Sequence, residues 1–136
     1  MLEYSGTLFT LTLLLTMVVA QAIIATGAHR KQTQYIPGVV ASELDHHSFV
    51  FRSHRTFLNS LENVPLFVLT AMLAMSVGVG TEALFWSTAV FTSARAIHMV
   101  LFYAIATNKN PSPRSYFYMI GLLTQLTLLG LVFSAF

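Results

Sequence analysis

Arg55, Asn59 and Glu62 stand four and then three residues apart in the otherwise apolar stretch FRSHRTFLNSLENVPLF. At about 100° per residue, a helix gathers them within about 60° of one face. Lipid rejects such a face: an ionisable side chain at mid-bilayer costs roughly 2.5–3.5 kcal/mol on insertion scales, so the sector is expected to point into protein or a wet cavity. An arginine fork matches a carboxylate, Glu62 matches an ammonium, and Asn59 both donates and accepts. A second set opens the last apolar run, where Arg114 and Ser115 follow the turn TNKNPSP, with Tyr118 one turn further on. A cation beside a hydroxyl at a helix start, reinforced by the helix dipole, favours a thiolate. Glutathione carries two carboxylates, an amine and a thiol, and so fits the whole set. A dipeptide, an amino acid or a phosphorylated lipid satisfies part of it.

Each feature also has a plainer reading. Arg55 can snorkel to head groups, Asn59 with Glu62 can bridge helices, and Arg114 can anchor topology. Arg95 and His98, three apart, share a face; Arg95 reads equally as a site residue or as the counter-ion of Glu62, and His98 equally as a packed imidazole or a catalyst. Glu43, Asp45, His46 and His47 lack the helical i, i+4 spacing of a metal motif and read as a solvated loop, so no metal site is expected.

The elements that must position these residues follow from composition. Of 136 residues, 55% are hydrophobic and 9% charged, and the mean hydropathy of +0.69 indicates an integral membrane protein. Four segments near bilayer length are expected as helices, over 5–28, 55–78, 82–106 and 112–136. The first has no cleavage-site pattern and reads as a retained span. The second and third connections are short, which predicts an all-α, antiparallel four-helix bundle in one domain. The connection over 29–54 is the only long one. With no cysteine in the chain, any thiol must arrive with a ligand. A net charge of +2 without a basic run gives no support for a nucleic-acid partner.

Arg30, Lys31, Arg52 and Arg55 flank the first connection and Lys109 and Arg114 the third, while the second connection and both termini have no basic residue. The positive-inside rule then puts loops 29–54 and 107–113 in the cytoplasm and both termini across a bacterial inner membrane or endoplasmic reticulum. Glu62 lies about 10 Å deeper than Arg55 at 1.5 Å per residue. The expected site is a pocket open to the cytoplasm, with a lipophilic co-substrate arriving from the bilayer.

RTFLNSLEN with its following Pro and Phe, then ARAIH, then a turn into RSYFY, resembles the MAPEG family, the membrane-associated proteins of eicosanoid and glutathione metabolism. The similarity covers nearly the whole chain. The helix 2 pattern is most similar to the family's microsomal glutathione transferases, and the Arg114–Ser115 pair to its prostaglandin E synthase branch. The resemblance implies a homotrimer with glutathione between neighbouring subunits. It also implies that Arg55, Asn59, Glu62 and, at the end of helix 1, Arg30 hold the ligand, with His98 as a helix 3 contact. Arg114 would stabilise the thiolate, with Ser115 and Tyr118 beside it. Where relatives carry a tyrosine four residues after the helix 3 histidine, this chain has Phe102, with Tyr103 about 100° around the helix. Phe57 and Leu122 replace a histidine and a glutamine of some relatives. These departures favour a general glutathione transferase or peroxidase, acting on a lipophilic electrophile or hydroperoxide, over a dedicated prostaglandin synthase. A non-catalytic lipid-binding member and a small transporter are the alternatives.

Overall fold

The computed structural model describes residues 2–136. A 3-10 turn, Leu2–Tyr4, leads into α1 (Ser5–Arg30), α2 (Phe49–Ser76), α3 (Thr81–Ala104) and α4 (Pro113–Phe133). All four helices are long and apolar enough to cross a membrane. Within lipid the helix satisfies its own backbone hydrogen bonds, so the chain crosses only in this form. The tight turn between α2 and α3 uses Gly78 at φ +78°, a left-handed conformation that a side chain disfavours. Pro113 occupies the first turn of α4 behind the Ser112 cap, where its missing N–H would have no partner in any case.

The helix bounds differ from expectation most at α2, which starts at Phe49 rather than at residue 55. Hydropathy finds where the chain leaves lipid, whereas a helix continues until something stops it. Nothing between Ser48 and Pro65 does so, and Arg52 N–H already donates to Ser48 C=O at 3.0 Å. The helix also runs on through Pro65. α1 extends to Arg30, while α3 stops at Ala104 and α4 at Phe133, inside the expected limits of 106 and 136.

α2 and α3 occupy the middle of the bundle, each packed on the other three helices. Leu14, Val64, Phe67, Ala71, Ala74, Leu84 and Leu128 are fully buried between them, and the two alanines let the backbones approach. Phe67 and Phe91 stack with ring centroids 3.7 Å apart. Hydroxyl and amide groups fasten the helices at two further levels. Thr10 Oγ1 donates to Thr88 Oγ1 at 2.7 Å, and Gln125 Nε2 donates to Thr70 Oγ1 at 3.0 Å. The outer surface carries Phe9, Val19, Ile23, Leu69 and Val100, all exposed, as a lipid-solvated bundle requires.

Phe91→Ala should lower the unfolding free energy read from a detergent-denaturant titration by about 3–5 kcal/mol, since it removes the stack on Phe67 and leaves a cavity. Far-UV helicity before the transition should be unchanged.

Candidate functional site

One end of the bundle gathers the carboxyl ends of α1 and α3, the amino ends of α2 and α4, and both polar connections. There Arg95 projects from α3 into the interior and is 2% exposed. Its Nη2 donates to Asn59 Oδ1 at 2.6 Å and, more weakly, to Ser60 Oγ at 3.4 Å. Its Nε is buried without a partner among the described residues. Arg95 thus ties α3 to α2, with Glu62 and Tyr118 within its electrostatic reach. The expectation that Arg95 is the counter-ion of Glu62 is corrected by the hydrogen bond it makes. Glu62 Oε1 is nearest Arg55 Nη1, at 3.9 Å, and the two side chains are 58% and 39% exposed. A loose, open pair of this kind contributes little stability.

Arg55, Asn59 and Glu62 therefore share a face that borders the bundle interior without entering it. The buried stripe of α2 (Arg52, Thr56, Ser60, Val64 and Phe67) is centred roughly a third of a turn away. Asn59 is drawn inward by Arg95, while Arg55 and Glu62 stay open on the flank. Exposed Leu66, Leu69 and Leu73 continue the same face along α2.

The second half of the site is built on Phe102. Arg114 lays its guanidinium over that ring, 4.3 Å from the centroid, and its Nη2 donates to Thr107 C=O at 3.2 Å. Its Nη1 is buried with no partner among the described residues. His98, 3% exposed, meets the same ring edge-on at 5.5 Å, and its Nδ1 is likewise unpartnered. Ser115 acts on its own helix, where its Oγ accepts the Ser112 N–H at 3.1 Å and closes the capping box of α4. Tyr103 turns away from this group, packing on Phe49 with centroids 5.5 Å apart. Arg30 is exposed and lines a cavity of about 410 Å³ with His29, Tyr35, His54 and Phe57. That cavity lies across α2 from Asn59, so within one chain Arg30 does not join the other candidates.

Sequence reasoning used Arg52 only as a topology charge. In the structure it is buried, with Nη1 donating to the His46 and His47 carbonyls at 2.9 and 3.1 Å and Nη2 to the Tyr103 carbonyl at 3.3 Å. The available signal was the spacing of Arg52, Thr56 and Ser60, a polar i, i+4, i+8 stripe that becomes visible once α2 is begun at Phe49.

The loop expected to be merely solvated is held to the α3–α4 connection by one amide. Asn108 Oδ1 faces the backbone N and Nδ1 of His46 at 3.2 and 3.0 Å, and its Nδ2 donates to Asp45 Oδ2 at 2.9 Å. The Asn108 amide, aided by the His47 N–H, holds the Asp45 carboxyl at about 2, below its ordinary 3.8. Arginines from α2, α3 and α4 thus face few carboxylates, and Arg114 keeps a buried N–H without a partner among the described residues, a donor of the kind that pairs with anions.

Compared with models of known families, the chain matches one over residues 1–134, described as MAPEG family. No curated protein and no solved structure matches it.

Asn59→Leu should strand the buried Arg95 and cost about 2 kcal/mol, seen as a lower thermal midpoint, while Asn59→Asp should preserve stability by keeping an acceptor. The Asp45 carboxyl resonance should titrate near 2 and move back towards 3.8 in Asn108→Ala. Because the folded value is depressed, the clasp contributes fully above the ordinary carboxylate range and is lost as pH falls through about 2.

Proposed function

The chain belongs to the MAPEG family, which includes glutathione transferases and related membrane enzymes, and from that membership we propose that it activates glutathione as a transferase with peroxidase capacity. The observation that carries the reading is Arg114, a cation at a helix start with a buried N–H left free beside His98. A thiolate there gains the guanidinium and the dipole of α4, which lowers its pKa. Arg55 then takes a glutathione carboxylate, Glu62 its ammonium, and the Asn59 amide, oriented by Arg95, a polar group between them.

The thiolate attacks an electrophilic carbon, forming a C–S bond as the leaving group departs with its electron pair. With a hydroperoxide, the sulfur takes the distal oxygen as the O–O bond breaks. The alkoxide is protonated to an alcohol, and a second glutathione then gives the disulfide and water. Tyr118, near Arg95, lines the same region, and Ser115 supports it by fixing the start of α4.

The homotrimer is part of the proposal. An open Glu62–Arg55 pair continued by Leu66, Leu69 and Leu73 is a poor surface for lipid and a good one for another copy of the chain. Arg30, on the far side of α2, reaches the same ligand only from a neighbouring subunit. The positive-inside rule directs this end to the cytoplasm of a bacterial inner membrane or endoplasmic reticulum.

Titrating the purified protein with glutathione should raise absorbance near roughly 240 nm, where thiolates absorb, and the protein should conjugate a chlorinated nitrobenzene. Arg114→Ala should cut turnover by about 10²–10³-fold, the loss typical of one removed anion-stabilising donor, while glutathione affinity changes far less. Lipid binding without glutathione binding would favour the non-catalytic alternative.

A further inference from the structure

We infer that His46, on the first loop, is the base that receives the thiol proton, through Nε2, as the thiolate forms against Arg114; this rests on the glutathione reading above. The S–H bond breaks with both electrons left on sulfur, an Nε2–H bond forms, and the proton then passes to water or to the departing group.

Position is the first argument. The His46 ring packs between Phe51, centroids 4.8 Å apart, and Phe102, 5.7 Å apart. Phe102 also carries the Arg114 guanidinium and the edge of His98, so three nitrogen-bearing groups surround one phenyl ring. The imidazole thus stands between Phe51 of α2 and the Phe102 ring that carries Arg114.

The second argument is the tautomer. Asn108 Nδ2 donates to Asp45 Oδ2, which fixes the amide so that its oxygen faces His46. Only a protonated Nδ1 can donate to that oxygen. The lone pair of a neutral His46 is therefore on Nε2, which has no hydrogen-bond partner among the described residues. Holding one ring nitrogen so that the other acts as base is the recurrent use of an orienting partner in proton transfer.

Third, the alternative base is badly placed. His98 is 3% exposed and flanked by Arg95 and Arg114, so a proton taken there meets two cations and no solvent. His46 is half-buried at the mouth and can hand its proton to water. It is faced by Asp45 and His47 on its own loop, Arg52 and Arg55 on α2, His98 on α3, and Asn108 and Arg114 beyond α3. Burial first, then Arg114 and Arg55, lower its pKa against the opposing Asn108 and Asp45, which keeps it neutral and receptive at pH 7.

The test is stopped-flow mixing of the detergent-solubilised protein with glutathione, following thiolate absorbance. In His46→Gln the rate of thiolate appearance should fall about 10²-fold, and the acid limb of its pH profile should vanish. The final amplitude and glutathione Kd should stay within about twofold, because Arg114 sets the equilibrium. Added imidazole should restore part of the rate to His46→Ala, and Asn108→Ala should show a smaller loss of rate. An unchanged rate in His46→Gln would overturn the assignment while leaving the glutathione reading intact. So would a joint loss of amplitude and affinity that imidazole does not repair, the mark of a merely structural residue. No thiolate in the unaltered protein would overturn the glutathione reading and this inference together.

Discussion

A guanidinium held inside a membrane bundle is the constraint on which the rest of this end depends. Arg95 cannot shed its charge, and lipid offers nothing to solvate it, so neighbouring helices must supply acceptors and room. Asn59 and Ser60 supply the acceptors. Gly121 of α4 lies alongside, where even a Cβ would make only ordinary contact with Arg95 Cδ at 3.8 Å and the Phe91 ring at 3.6 Å. The same demand fixes how α2 is rotated about its axis: Asn59 turned inward leaves Glu62 and Arg55 on the flank. A structural requirement of α3 thereby sets which polar groups of α2 stay outside the bundle interior.

The cations divide accordingly. Arg52 and Arg95 have acceptors within their own chain and serve as internal ties. Arg55, Arg114 and Arg30, on three different elements, keep donors without a hydrogen-bond partner among the described residues. That division explains how one end of a small bundle can be strongly basic and yet ordered, because part of the charge is committed to carbonyls and amides and the remainder stays towards the surface. Phe102 is the pivot of the open half, giving Arg114 a ring to lie on and His98 an edge to meet. A tyrosine there would add a hydroxyl needing its own partner.

The spans, their antiparallel order and the basic end were legible because hydropathy and charge placement are direct consequences of the bilayer. The shared face of Arg55, Asn59 and Glu62 was legible from helical period alone. What the face looks onto was not, since a period says which residues are neighbours and nothing of which helix lies against them. The start of α2 was hidden for a related reason: the charges that end a hydrophobic run do not end a helix, and with that boundary misplaced Arg52 looked like a surface anchor. The capping role of Ser115 was readable in principle from Ser112 three residues before it, but the chemistry of a hydroxyl beside Arg114 competed for the same residue. The clasp between Asp45, His46 and Asn108 joins residues more than 60 apart in sequence, and no local pattern announces it.

That clasp divides the first connection into two unequal parts. From Asp45 to Arg55 every step is metrically fixed, by Asn108 at one end, the Arg52 ties in the middle and the helix at the other. From Lys31 to Leu44 the chain turns at Gly38 over the cavity beside α1 and makes few ties to the rest. Length can therefore vary in the upstream part, by insertion of an epitope near Gly38 for example, without altering the register of a single arginine, whereas one residue added between Ser48 and Arg52 would rotate the whole polar face of α2 out of alignment.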